Sequence, residues 1–323
     1  MLAAVRAQLG GPDAPDLLVS SGTEPLVLTS MLAGELGLPM AYLRPKPKEH
    51  GRQKRLEGEL RGSRAALIAL NPAPETVEDN RQLIDEGGSK LAKVIDIPSP
   101  SGRGLGRGQP RLREPSPLPS PAAAGEGSVA GVAKVLLDIG AVIIRQDPPF
   151  RYVSGILSPI YTDCRLLISY PEKWPVILDA LQARIDEDAI VGVATSGIPH
   201  ASVLAHRLGK PLAYVHDEGI AGYIQPDQSL VIVEDLVTTG KSVLECASAL
   251  RQHGFAASRC VAIFTYERRQ PSLEAAGIAF EPLADLATLL ETGVAEGRFG
   301  EAERQAVLDW RRDPQAWTAA HEQ

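Results

Sequence analysis

The stretch VIVEDLVTTGKS, residues 231–242, decides which fold we expect for this chain. Its apolar start predicts a buried strand that ends at the acid pair Glu234 and Asp235. The following TTGKS leads into a helix, and a turn of small residues at a helix N-terminus presents backbone N–H groups that bind phosphate. Either feature alone is typical of an ordinary loop or a helix cap. Together they predict a phosphate site at the carboxyl edge of a sheet, with carboxylates suited to ribose hydroxyls or Mg²⁺.

Strands and helices alternate around this stretch. Four apolar segments predict strands: AIVGVA (189–194), LAYV (212–215), SLVIVE (229–234) and RCVAIFTY (259–266). Helix-length amphipathic segments follow the first and the third of them. Because the strand cores are continuously apolar, we expect strands that are buried on both faces. The pattern predicts an α/β fold with a doubly wound, mostly parallel sheet.

Composition is typical of a soluble globular protein. The chain has 323 residues, of which 44% are hydrophobic and 23% charged, and this length suggests about two domains. The formal net charge of -7 argues against a general nucleic-acid binder. The three cysteines show no metal-ligand or disulfide spacing, and no apolar run approaches the roughly 18 residues of a membrane span. We therefore expect a cytoplasmic protein with reduced thiols and without membrane or nucleic-acid partners.

One segment, PSPSGRGLGRGQPRLREPSPLPSPAAAGEG at residues 98–127, is unlike the rest of the chain. Pro, Gly, Ser and Arg dominate it, and such a composition buries too little apolar surface to offset the entropy of ordering. The sequence thus predicts a disordered linker between an N-terminal part, residues 1–97, and a C-terminal part, residues 128–323.

The two parts resemble each other. LGLPMAYL (36–43) parallels LGKPLAYV (208–215), and LEGEL (56–60) parallels IAGYI (220–224). SSGTEPLVLTSMLAGELG, from residue 20, parallels TSGIPHASVLAHRLG, from residue 195, with a small difference in length. Self-similarity of this kind predicts an internal duplication, with a partial, diverged copy in the N-terminal part.

VIVEDLVTTGKS resembles the phosphoribosyl pyrophosphate (PRPP) motif of type I phosphoribosyltransferases. Other segments narrow the resemblance to the Bacillus-like branch of the orotate phosphoribosyltransferases. They are FRYVSGILSPIYTDCRLLISYP (150–171), VATSGIPHA (193–201), AIFTYE (262–267) and WRRDPQAW (310–317). The resemblance covers nearly all of residues 130–318. It implies a type I phosphoribosyltransferase-like fold and a glycosyltransferase of pyrimidine (UMP) biosynthesis, which transfers the 5-phosphoribosyl group of PRPP to orotate and releases pyrophosphate.

The same resemblance implies the roles of individual residues. Glu234 and Asp235 would hold the 2′ and 3′ hydroxyls of the ribose, with Mg²⁺ near Asp235 through PRPP. Orotate would contact Thr238, Ser154 and Gly155. The residues implied in PRPP binding by this motif are Glu234, Asp235, Leu236, Val237, Thr238, Thr239, Gly240, Lys241 and Ser242.

The family also has a mobile basic loop of pattern R-x-K-x-K-x-H-G, and here this loop is in the other copy. The C-terminal part reads AYVHDEGIAGYI (213–224), without the cations, whereas the N-terminal part reads AYLRPKPKEHGRQKRLEGEL (41–60). The resemblance therefore implies PRPP contacts for Arg44, Lys48 and His50 and catalytic roles for Lys46, Lys48, His50 and Asp235.

The N-terminal copy has lost its own phosphate motif. At LIALNPAPET (67–76), Leu70 and Asn71 stand where the acid pair is expected, and Pro72 and Pro74 interrupt the row of N–H donors. We therefore expect the N-terminal part to supply a lid to the C-terminal part, in an intramolecular pseudo-dimer or a homodimer.

Three other interpretations remain open on the sequence. The missing loop in the C-terminal part is compatible with a PRPP-binding regulator without catalysis. The low-complexity linker is compatible with a decayed enzyme. The basic run at 43–55 is the single feature that indicates nucleic-acid binding, and it lacks interleaved aromatic residues.

Overall fold

The computed structural model describes residues 1–11, 13–45, 55–62, 64–97, 127–152, 154–216 and 219–322. Most of the basic segment and of the predicted linker lie outside these ranges. The predicted lid residues Lys46, Lys48 and His50 are therefore outside the described residues, whereas Arg44 is within them.

The N-terminal part alternates helices and strands. Its elements are α1 (Leu2–Gln8), β1 (Leu17–Ser21), α2 (Thr23–Leu36), β2 (Met40–Leu43), β3 (Leu56–Glu57), β4 (Arg64–Leu70), α3 (Pro74–Glu86) and β5 (Lys90–Ile97).

The C-terminal part begins with a helix and short strands and continues in the same alternation. Its first elements are α4 (Val129–Asp138), β6 (Val142–Ile144), β7 (Phe150–Arg151), β8 (Leu157–Ser158), β9 (Ile160–Thr162), a 3-10 helix (Cys164–Ser169) and α5 (Trp174–Gln182). The main sheet and its helices follow as β10 (Ala189–Val193), α6 (Gly197–Leu208), β11 (Leu212–His216), β12 (Gly219–Gly222), β13 (Leu230–Val237), α7 (Lys241–Gln252), β14 (Ala257–Thr265), α8 (Pro271–Ala275) and β15 (Ala279–Asp285). The last helices are α9 (Leu286–Ala295), α10 (Glu301–Arg312) and α11 (Pro314–His321).

Each part builds one main sheet. The N-terminal sheet has the order β3-β2-β1-β4-β5, and the C-terminal sheet has the order β12-β11-β10-β13-β14-β15. All neighbouring strands are parallel except β3 and β12, each of which pairs antiparallel at one edge. The predicted α/β fold with mostly parallel sheets is confirmed. The two sheets share a strand order in which β1 corresponds to β10 and β4 corresponds to β13.

The register of the two sheets corrects the predicted alignment of the copies. Leu17 to Gly37 and Ala189 to Gly209 span the same number of positions, and both glycines end their helices with a left-handed backbone. The expected length difference was therefore wrong. Ser20 pairs with Ile68, and Gly192, at the same position of its own sheet, pairs with Val233. The residues of the N-terminal part that correspond to Glu234 and Asp235 are thus Ala69 and Leu70, one position earlier than predicted.

The prolines after β4 are compatible with the start of a helix. Helix α3 begins at Pro74, so this proline occupies the first helical position, where its missing N–H costs no helical hydrogen bond. The strand–turn–helix order of the phosphate motif is therefore kept in the N-terminal part. The acid pair and part of the N–H donors are what it lacks, because apolar residues and prolines replace them.

Helices α2 and α6 join the two sheets. They pack closely at Gly34, where an added Cβ would lie 3.1 and 3.2 Å from the two methyl carbons of Val203. His206 Nε2 lies 2.8 Å from Glu35 Oε1 at the edge of this contact. One continuous apolar core contains residues of both helices, including Leu32 and Leu204. The two parts therefore share a core.

His200 on α6 is buried in the C-terminal part. Trp174 Nε1 donates a hydrogen bond to His200 Nδ1 at 2.9 Å, and the two rings meet edge to face. Burial lowers the pKa of His200 to about 3. The imidazole is therefore neutral in the folded protein at any pH near neutrality.

The three cysteines, Cys164, Cys246 and Cys260, are buried and unpaired, as expected for reduced thiols. Burial raises the pKa of each, that of Cys246 to about 12. Within the described ranges, no helix has the length and apolar character that crossing a membrane requires.

The buried His200 predicts an acid-sensitive stability. In the unfolded chain its imidazole takes up a proton as the pH falls below about 6.5, whereas the folded protein does not. The free energy of unfolding should therefore fall between about pH 6.5 and pH 4, by at most about 1.4 kcal/mol per pH unit. His200→Gln keeps an acceptor for the indole N–H and should flatten this dependence in urea titrations. The exposed His253→Gln is the matched control, and an equal flattening there would contradict the assignment.

From the close approach at Gly34, we expect the stabilities of α2 and α6 to be energetically coupled through Gly34 and Val203. Gly34→Val should lower the free energy of unfolding by about 1–3 kcal/mol, because its methyl groups would overlap those of Val203. Val203→Ala removes those methyl groups, so the double variant should recover part of the loss. Urea unfolding of the four proteins gives the coupling energy. Strictly additive losses would show that the two residues do not determine the contact.

Candidate active site

A cleft of about 880 Å³ opens at the carboxyl ends of β10 and β13. Its walls come from both parts of the chain. They are formed by residues 149–152, 161–165, 194–196 and 234–236, together with Arg44, Arg145 and Ser242. This is the edge of a parallel sheet where ligands of open α/β folds bind.

The acid pair lies in β13, two residues before the strand ends at Val237, and lines this cleft. Glu234 and Asp235 are 5% and 7% exposed, because β13 is a central strand covered on both faces. The Asp235 backbone N–H donates to Glu234 Oε1 at 3.0 Å. Burial raises the pKa of the Asp235 carboxyl, so a bound cation or hydroxyl donor would stabilise its charged form. The predicted end of the strand was therefore wrong by two residues, although both carboxylates line the cleft.

The phosphate turn follows in the predicted order. Gly240 has φ 78 and caps α7, which begins at Lys241. Glycine suits this position because other residues rarely adopt that backbone conformation. The Thr238 carbonyl accepts a hydrogen bond from Gln270, and the Thr239 carbonyl accepts one from Ser272. These bonds hold the turn against α8.

The predicted PRPP residues of this turn lie at different depths. Leu236 and Ser242 line the cleft, whereas Val237 is buried beneath it. Lys241 points to solvent, 80% exposed and paired with Glu245. Within the described part of the chain, Thr238, Thr239 and Gly240 are not among the residues that line the cleft, although they flank Ser242.

The opposite wall is built from aromatic and arginine side chains. Phe150 and Tyr161 have ring centroids 5.5 Å apart, and the Arg145 guanidinium carbon lies 4.3 Å from the Phe150 centroid. Among the described residues, no carboxylate pairs with Arg145. The neighbouring Arg151 is paired with Glu322 and with the Gly155 carbonyl.

Sequence reasoning missed this aromatic wall. It singled out Ser154 and Gly155, which form the turn between β7 and β8 and are not among the described residues that line the cleft. Arg145 precedes the quoted family segment, so its role carried no motif signal. Only the folding of β6 beside β9 brings it to the cleft.

The N-terminal part contributes Arg44 to the cleft, as predicted. Its Nη2 donates to Thr195 Oγ1 at 2.5 Å, and its Nε donates to Glu57 Oε1 at 2.7 Å. Glu57 also accepts from Arg165 Nη1 at 3.0 Å, and Arg165 is bound to Asp163 through two nitrogens. These contacts form a chain of charges that runs from β2 and β3 to the wall of the cleft.

A metal site made by the protein alone is absent from the described residues. No group of three or more His, Cys, Asp or Glu side chains is arranged to hold an ion there. The cleft offers the two carboxylates of Glu234 and Asp235. Mg²⁺ commonly binds one or two carboxylates and completes its shell with phosphate oxygens and water, so the pair fits an ion that arrives with a phosphorylated ligand.

Comparison with known proteins identifies relatives of this chain. No protein-family model matches the chain. An orotate phosphoribosyltransferase of Coxiella burnetii is 43% identical over 201 residues, which cover 58% of this chain and 96% of the relative. One from Bacillus cereus is 39% identical over 206 residues, covering 58% and 98%.

A solved structure supports the fold alone. The UMP synthase of Leishmania donovani has a TM-score of 0.51 and 21% identity, over 90% of this chain and 60% of that one. The family assignment depends instead on the two curated relatives, each of which is matched along nearly its whole length. The chain therefore belongs to the orotate phosphoribosyltransferase family.

Proposed function

We propose that this chain is an orotate phosphoribosyltransferase, which transfers the 5-phosphoribosyl group of PRPP to orotate. The observation that carries the proposal is the cleft itself, where a buried acid pair, Ser242 of the phosphate turn, an aromatic wall and Arg44 meet. Family membership supplies the substrates. The products are orotidine 5′-monophosphate and pyrophosphate, a step of pyrimidine biosynthesis.

The residues of the cleft suit the parts of PRPP. Glu234 and Asp235 accept hydrogen bonds from the ribose hydroxyls, and the N–H groups of residues 238–242 bind the 5′-phosphate. The orotate ring nitrogen gives up its proton and bonds to C1′ as the bond from C1′ to pyrophosphate breaks. Pyrophosphate leaves with the electron pair, and its oxygens can accept that proton. Arg44 lines the cleft beside Thr195, where a cation would stabilise the negative charge of the leaving group.

Mg²⁺ fits this site as an ion bound jointly by PRPP and the acid pair. When bound, it would neutralise part of the pyrophosphate charge. Asp235, assisted by Glu234, would be the protein's share in holding it.

The N-terminal part is proposed to act as the lid donor. Residues 1–97 would form a partial phosphoribosyltransferase-like module, 98–127 a linker, and 128–323 the catalytic domain. The shared strand order of the two sheets and the packing of α2 against α6 support a duplicated, pseudo-dimeric arrangement within one chain. Lys46, Lys48 and His50 follow Arg44 in sequence and would extend its positive charge over the pyrophosphate. The same lid could be exchanged between two chains in a homodimer.

Substitution of the lid residues tests this proposal. In the intact chain, Lys48→Ala with His50→Ala should lower kcat by about 100-fold or more, because two donors to the leaving group are lost. Arg52→Ala with Lys54→Ala, in the same basic run but outside the family pattern, is the control and should change kcat little. Formation of orotidine 5′-monophosphate from PRPP and orotate is the measurement.

The outcomes separate the alternatives. Equal activity of the two double variants would show that the N-terminal loop is not the lid. An intact chain that binds PRPP without forming product would favour the PRPP-binding regulator, and one that does neither would indicate a decayed enzyme.

Arg145 is proposed to bind the carboxylate of orotate. Its guanidinium lies over Phe150 in the cleft, without a carboxylate partner among the described residues. Arg145→Ala should raise the KM for orotate about tenfold or more, the loss expected for one charged hydrogen bond, and leave the KM for PRPP unchanged. Arg151→Ala is the matched control, because Glu322 already neutralises that side chain. An equal rise in both variants would contradict this role.

A further inference from the structure

Glu57 is a buried carboxylate at the junction of the two parts of the chain. It lies in β3, opposite Tyr42 of β2, and its side chain is 5% exposed. Its Oε1 accepts from Arg44 Nε at 2.7 Å and from Arg165 Nη1 at 3.0 Å. One oxygen thus joins an arginine of the N-terminal part to an arginine of the C-terminal part.

The local charges show what this oxygen does. Arg165 has a second, two-nitrogen contact with Asp163, so its orientation does not depend on Glu57 alone. Among the described residues, the other partners of the Arg44 side chain are the Thr195 hydroxyl and the face of Tyr42, and both are neutral. Glu57 therefore provides the charged contact that holds the Arg44 guanidinium at the cleft. In a buried setting such a contact is strongly directional.

Comparison of the two sheets supports the pairing of Glu57 with Arg44. Tyr42 pairs with Glu57 in the first sheet, and Tyr214 pairs with Ala221 in the second. The residue after β2 is Arg44, and its counterpart by register is His216. Where the arginine is replaced, the glutamate is replaced as well. The carboxylate and the arginine thus occur together, in the copy that contributes Arg44 to the cleft.

We infer that Glu57 is a positioning residue for the proposed transferase reaction, which fixes Arg44 in the orientation that meets the departing pyrophosphate. This inference rests on the proposed function and extends it. Glu57 does not itself contact the substrate. Loss of its charge leaves Arg44 free to bind PRPP in the ground state but no longer holds it for the transition state, so kcat falls while the KM for PRPP does not rise.

A double-mutant cycle tests this inference in the full chain. Glu57→Gln should lower kcat about tenfold, within the range of interaction energies between contacting residues. In an Arg44→Gln background the same change should have almost no further effect, because Glu57 acts through Arg44. Glu59→Gln is the matched control, since Glu59 is exposed, bonded to Tyr170, and two residues along the same segment. Glu59→Gln should leave kcat and the KM for PRPP unchanged.

The result that would overturn the inference is an equal loss of kcat in both backgrounds, or a rise in the KM for PRPP in Glu57→Gln alone. If Glu57→Gln fails to fold, Glu57→Asp completes the cycle, because it keeps the charge but shortens the reach to Arg44. Thermal denaturation of each variant shows whether it folds. An unmodified chain that forms no orotidine 5′-monophosphate refutes the proposed function and this inference with it, whereas an active chain with additive losses refutes the inference alone.

Discussion

Helix α2 packs against helix α6 at a glycine, and this close approach determines what can reach the cleft. Gly34 has no side chain to separate the helices, so Val203 fills the space against the α2 backbone. The packing sets the distance between the two sheets. Strand β2, which follows α2, then ends beside the loop between β10 and α6, where Arg44 meets Thr195. The apolar core thus positions a polar contact that neither part could form by itself.

Burial of charge is the second constraint at the cleft. Glu234, Asp235 and Glu57 are all nearly inaccessible to water, and a buried carboxylate is costly unless cations or hydrogen-bond donors accompany it. Glu57 has Arg44 and Arg165 as partners. Asp235 has a raised pKa because of its burial. A site of this kind favours a ligand that brings hydroxyl donors and a cation to the acid pair and negative charge to the arginines.

The sequence predicted the order of β13, the glycine turn and α7 well, because the relevant residues are adjacent in the chain. A strand end, an acid pair and a glycine turn are local features that one stretch of twelve residues contains. The alignment of the copies was less accurate. It aligned Leu70 and Asn71 with the acid pair, whereas the hydrogen-bonded register aligns Ala69 and Leu70 with it. Sequence similarity does not report strand register where both candidate residues are uncharged and no motif remains.

Residues that act across the two parts were the hardest to predict. Glu57 was visible as the middle of LEG, but its partner Arg165 lies in a distant segment, and no sequence pattern links the two. Arg145 lies before the family segment and reaches the cleft because β6 pairs with β9. A signal for Glu57 did exist, since Ala221 replaces it where Arg44 is replaced by His216. This paired replacement could be interpreted only from the structure, which shows that the Glu57 and Arg44 side chains are in contact.

The sequence by itself determined the α/β class, the place of the acid pair and phosphate turn, the family and the candidate basic loop. These follow from short-range patterns, in which a few neighbouring residues set both the local structure and its chemistry. Only the tertiary structure decided that Arg44 meets Thr195, that Glu57 joins two arginines, and that Arg145 lies in the aromatic wall. Those contacts depend on helix packing and strand register, which are set by the fit of the whole apolar core and cannot be read from any one segment.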